Sequence, residues 1–108
     1  MNNLCLGIDT SAYTTSVAIV DSNGKVLFDS RILLEVGEHK RGLRQQEAVF
    51  KHVQNLPTIF SKLEQTNLVE NIGVVTASSR PRNVAGSYMH VFTVGKGQEY
   101  IISTVLNL

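Results

Sequence analysis

The sequence lacks most of the features that announce a function at a glance. A single cysteine, Cys5, excludes an internal disulfide framework and suits a reducing, cytoplasmic setting. It sits in the first apolar run and reads as a buried, inert thiol. No apolar run approaches the roughly 18 residues that a membrane span needs, so no membrane attachment is expected. The opening MNNLCLGID has no basic stretch followed by a long apolar segment, and no signal peptide is expected. Neither sign of charge dominates, since ten Lys+Arg face nine Asp+Glu for a formal net charge of +1. No global field therefore steers the chain to nucleic acid or membrane, and any such surface must be local. His39, His52 and His90 lie too far apart for a helical metal pair, so a complete metal centre is not expected. Neither the GxxxxGK[ST] phosphate loop nor a GxSxG nucleophile motif occurs. No residue is assigned a catalytic role.

What is present fits one globular domain, 1–108, with a single modest core. The chain has 108 residues, 43% hydrophobic and 18% charged. Leu4 to Ile8 and Ser16 to Val20 read as strands. Asp21-Ser22-Asn23-Gly24 is a turn signal, because Asn and Gly tolerate positive φ. Lys25–Phe28 and Ile32–Leu34 continue the strand pattern, giving an antiparallel meander. Apolar residues on both faces of the second and third strands predict cover on both sides of the sheet.

The period then changes. Val49, Val53, Leu56, Phe60 and Leu63 fall in steps of four, three, four and three, one stripe on a helix. Pro57 predicts a kink or a junction within it. His52, next to Val53, reads as a helix-surface residue. Ile72 to Ala77 is a further strand, placed after a helix as a parallel crossover partner of an earlier strand would be. Residues 78–87 read as a loop. Gln98 to Leu106 carries Ile101, Ile102, Val105 and Leu106 on one helical face. The order is β-β-β-α-β-α, an α/β domain.

Three stretches bear on chemistry. In LCLGIDTSAYTTS a strand runs into Asp9 and then Thr10, Ser11, Thr14, Thr15 and Ser16. Consecutive N–H groups and short hydroxyls in such a turn can hold a phosphate, and the carboxylate can orient water or the phosphate's Mg²⁺. The alternative is an ordinary turn whose Ser and Thr bond their own backbone. His39-Lys40-Arg41-Gly42-Leu43-Arg44 places Lys40, Arg41 and Arg44 together. They suit RNA phosphates or a solvated helix start, and no aromatics are interleaved for base stacking. Ser78-Ser79-Arg80-Pro81-Arg82-Asn83 follows a strand, where α/β sheets gather ligands, so Arg80 and Arg82 are placed for an anion or for plain surface.

LGIDTSAYTTSVAIVD, the Asn-Gly hairpin and the third strand resemble the opening of the sugar-kinase/Hsp70/actin-like fold. Within it they look most like the TsaD-type family, also called Gcp-like proteins or O-sialoglycoprotein endopeptidases, which makes threonylcarbamoyladenosine in tRNA. RGLRQQEAVFKHVQNLP is similar to that family's first helix. VVTASSRPRNVAGSYMHVFTVGKGQEYIISTVLNL is similar to its strand, glycine-rich loop and following helix. The resemblance covers nearly the whole chain. It implies an incomplete actin-like (ribonuclease H-like) half-domain, with a mixed sheet packed against helices.

Carried over by position, the resemblance puts Asp9, Thr10, Ser11 and Thr14 near a nucleotide or threonylcarbamoyl-adenylate phosphate. Ser78 and Ser79 fall in the active-site loop. There Arg80-Pro81-Arg82 replaces the usual Gly-Pro-Gly type sequence. Full-length members would bind ATP or the adenylate and a divalent metal between two halves. The His-x-x-x-His metal motif and the second half have no counterpart here, so no cofactor is expected in this chain. Three expectations follow: an N-terminal half-domain, truncated or shortened and inactive alone; an interaction module that pairs with itself or an active relative through uncovered sheet edges; or a tRNA-binding module using Lys40, Arg41 and Arg44.

Overall fold

The computed structural model describes residues 3–11, 13–34, 45–79 and 91–108. Three strands come first: β1 (Leu4–Asp9), β2 (Thr14–Val20) and β3 (Val26–Leu33). Helix α1 (Gln45–Glu64) and a short 3₁₀ turn (Val69–Asn71) lead into β4 (Ile72–Ala77), and α2 (Val91–Val105) follows. The strands form one sheet in the order β3-β2-β1-β4. β1 pairs antiparallel with β2 and parallel with β4, so the sheet is mixed. The crossover partner expected from sequence is therefore β4, alongside β1.

The β2–β3 hairpin turns as Asn23-Gly24 predicts. Gly24 has φ +82, a left-handed backbone that favours glycine. The Asp21 carboxylate accepts the Asn23 and Lys25 N–H groups, each at 2.9 Å. β3 is one continuous strand, since Asp29 and Arg31 alternate outward without breaking it and pair with each other at 3.0 Å.

Alternation along β1 and β2 sends Leu4, Leu6, Ile8, Val17 and Ile19 to one face. There they meet Leu56, Ile59 and Leu63 of α1 and Val94 of α2. A second cluster of Leu34, Ala48, Val91 and Phe92 joins the end of β3 to the starts of both helices.

Four details depart from the sequence reading. First, among the described residues the core lies on one face of the sheet only. On the other, Val26, Leu33 and Val74 are exposed, the last by 53%. Second, α1 runs unbroken through Pro57, which lies on its solvent side. The carbonyl deprived of its intrahelical donor belongs to Val53, another exposed residue, so water can satisfy it. Third, the buried face of α1 is Ala48, His52, Leu56, Ile59 and Leu63, which keeps Leu56 and Leu63 of the expected stripe, sets Val49 and Phe60 at its edge and leaves Val53 outside. His52 is fully buried and Val53 is 53% exposed. Fourth, α2 starts at Val91, and its buried residues are Val91, Phe92, Val94 and Gly95. Ile101 and Val105, expected on its packed face, are exposed.

Among the described residues, no helix is long and apolar enough to cross a membrane.

Candidate functional site

β1 and β4 lie side by side and parallel, so their carboxyl ends open at the same edge. The ladder continues one step past β4, where the Ser78 N–H donates to the Ile8 carbonyl at 3.0 Å. That bond fixes Ser78 beside Asp9. The Ser78 hydroxyl donates to Asp9 Oδ1 at 2.8 Å, and the Ser11 backbone N–H donates to the same oxygen at 2.9 Å. The carboxylate thus caps its own turn and ties the two strand ends together.

Asp9 is surface-exposed but held. Partial burial pushes its carboxyl up, while hydrogen bonding from Ser11 and Ser78 outweighs burial, with the His52 ring the smallest contributor. The net result lies below the ordinary value of 3.8. The depressed native value gives a sign: the ionised carboxylate stabilises the fold above the unfolded value, and that contribution disappears as pH falls through the native one. Asp9→Asn is expected to be less stable than the parent near neutral pH. The gap should close in acid, as pH falls below the ordinary value of 3.8 and through the lower native one, as followed by chemical denaturation across pH. An equal gap at every pH would contradict the assignment.

The other sequence candidates divide. Ser11 and Ser78 converge on Asp9. Thr14 begins β2 and is half-buried, and Ser79 is exposed beyond β4. Thr10 turns away: it is fully buried, its hydroxyl donates to the Val91 carbonyl at 2.7 Å and accepts the Gly95 N–H at 3.1 Å. Lys40, Arg41, Arg44, Arg80 and Arg82 lie outside the described residues. Among the described residues no group of three or more His, Cys, Asp or Glu is arranged to hold a metal ion.

Behind the turn lies a polar group that the sequence reading missed. Thr15 and His52 are both fully buried, with Thr15 Oγ1 2.7 Å from His52 Nδ1. The Asn55 amide donates to the same hydroxyl at 3.1 Å. The spacing of His52 and Asn55, one turn apart with Leu56 following, marks one side of α1; the hydrophobic stripe concealed it.

A largely apolar groove of about 270 Å³ lies elsewhere, between the last turns of α1 and α2. Leu6, Phe60, Leu63, Ile72 and Ile102 line it. Its lining includes Ile72 at the amino end of β4 and does not include Asp9.

Comparison with known proteins bears on the fold and on the family resemblance. The chain is 30% identical over 78 residues to the probable bifunctional tRNA threonylcarbamoyladenosine biosynthesis protein of Methanocaldococcus jannaschii. That alignment takes in 72% of this chain and 14% of the relative, so the chain spans about one seventh of that protein's length. YeaZ from Pseudomonas aeruginosa superposes with a TM-score of 0.59 at 15% identity, over 96% of this chain and 39% of YeaZ. The chain therefore has the ribonuclease H-like, actin-like α/β fold. No family model matches it. The family resemblance read from the sequence stands.

Proposed function

We propose that this relative of the tRNA threonylcarbamoyladenosine biosynthesis proteins forms one wall of an actin-like nucleotide cleft, the wall that faces the phosphates. The observation that carries this reading is the Asp9–Ser11–Ser78 cluster at the carboxyl ends of two adjacent parallel strands, where α/β sheets bind ligands. Ser11 and Ser78 place small hydroxyls beside the carboxylate at the strand ends, their backbone N–H groups being bonded to Asp9 Oδ1 and the Ile8 carbonyl, and such hydroxyls suit a phosphate or its hydrated cation. The Asp9 carboxylate, held ionised, suits the orientation of water or of a cation on that phosphate rather than direct contact with its oxygens.

One wall binds weakly and does not complete a reaction. The chain alone is accordingly inactive as a threonylcarbamoyl transferase and gains function only with a second wall. Formation of threonylcarbamoyladenosine in tRNA by the purified chain, with no other protein, would refute this. The direct test of the phosphate wall is ATP titration of the labelled chain.

A second reading, a module that pairs with itself or with an active relative, is favoured by the open sheet face with Val26, Leu33 and Val74 exposed. Among the described residues β4 also has no neighbour on its outer edge. Sedimentation velocity at increasing concentration, alone and mixed with a full-length relative, decides it: a strict monomer that leaves the relative's boundary unchanged rejects pairing.

A further inference from the structure

We infer that Thr10, rather than touching a ligand, is a positioning residue that splices the acidic turn into the first turn of α2. Geometry carries this independently of the cleft reading; only the effect on ATP rests on that reading.

In an ordinary helix the Gly95 N–H would donate to the Val91 carbonyl four residues earlier. Here the Thr10 hydroxyl serves both groups. It accepts from Gly95 N–H at 3.1 Å and donates to the Val91 carbonyl at 2.7 Å. Thr10 is fully buried, so water does not compete for either bond. Its partners need no help from Thr10 to be satisfied, because each is the other's natural helical partner. What the hydroxyl adds is location.

Gly95 is the matching cradle. A Cβ there would stand 3.1 Å from Thr10 Oγ1, 3.5 Å from Ile8 Cγ2 and 3.7 Å from the Ala77 Cβ. The missing side chain lets the helix approach β1 and β4 together. Ile8 and Ala77 are register partners, and the next residues on each strand are Asp9 and Ser78. One point of contact on α2 therefore sets both strand ends that carry the acidic cluster. Successive residues of an extended chain face opposite ways, so Asp9 points outward because Thr10 points in.

The test uses the full chain, labelled with ¹⁵N, and follows the amide resonances of Ser11 and Gly95 with ATP as the probe. Thr10→Ser retains the hydroxyl and is expected to keep both resonances in place, with ATP affinity within about twofold of the parent. Thr10→Val puts a methyl where the hydroxyl bridges. Both resonances should move, and ATP affinity should fall roughly tenfold, the scale produced by small misplacement of binding groups. If Thr10→Val does not fold, Gly95→Ala presses on the same oxygen from the helix side and should move the Ser11 amide. The inference is overturned if Ser11 stays in place in Thr10→Val or Gly95→Ala. It is also overturned if Thr10→Ser loses as much as Thr10→Val, or if affinity falls with both amides unmoved, as direct ligand contact by Thr10 would require. Absence of ATP binding by the parent chain would count against the cleft reading, while the amide shifts would still decide the role of Thr10.

Discussion

Leu56→Ala and Ile59→Ala are each expected to lower the unfolding free energy by about 3 kcal/mol. Both side chains are buried from water, at 2% and 0% exposure, in the layer between α1 and the sheet. Truncation loses the transfer free energy of the removed carbons and leaves a cavity that the strands beneath cannot fill. A domain of this size holds roughly 5–15 kcal/mol in all, so either change takes a large share of it. The denaturant midpoint should fall with little change in the slope of the transition. Val53→Ala and Phe50→Ala, on the exposed side of the same helix, should stay within about 0.5 kcal/mol of the parent. This contrast also tests the phase of α1. If Val53→Ala proved as costly as Leu56→Ala, the helix would be turned toward the stripe that hydropathy alone selects.

Thr15→Val should cost about 1–3 kcal/mol although the side chain keeps its shape. The hydroxyl is shared by His52 Nδ1, which is fully buried with it, and by the partly buried Asn55 amide. Valine replaces that shared oxygen with a methyl and removes one partner from two polar groups. Desolvation without compensation is the expensive side of a hydrogen bond. Thr15→Ser should recover most of the loss. Combined with His52→Leu, Thr15→Val should cost less than the two single changes added together, because it then removes a pair rather than half of one. Urea denaturation of the four proteins completes the cycle; strict additivity would show that the hydroxyl and the ring do not interact.

The strands and their order were legible because alternation in β1 and β2 is clean and Asn23-Gly24 marks the hairpin. The parallel placement of β4 followed from the intervening helix. The phase of α1 was legible only in part, since Leu56 and Leu63 are buried as expected but Val53 is not, and His52 is the reason. A polar residue was set on the solvent side by its type, whereas a 2.7 Å bond to Thr15 across the helix–sheet interface makes it suitable for burial. That partner is invisible to any local pattern. The start of α2 was concealed by composition, since Thr93, Gly95 and Gly97 dilute the apolar signal of its first turns. Gly95 is there for the approach of Thr10, which lies 85 positions earlier.

The acidic turn was legible as a cluster of residue types, Asp9 with its hydroxyls. Which hydroxyl serves which purpose was not. Thr10 and Ser11 are adjacent and chemically alike, yet one is bonded inside the core and the other lies beside the carboxylate at the surface. Both lie just past the end of β1, and only their tertiary partners, α2 for Thr10 and Asp9 for Ser11, separate them.

The phosphate wall is tested most directly by titrating the ¹⁵N-labelled chain with ATP and mapping the amide shifts. The account predicts weak, saturable changes centred on Ser11, Thr14 and Ser78, reaching Gly95 through Thr10, and lost in Asp9→Ala. Changes centred instead on Phe60, Leu63 and Ile102 in the apolar groove, or none at all, would contradict it.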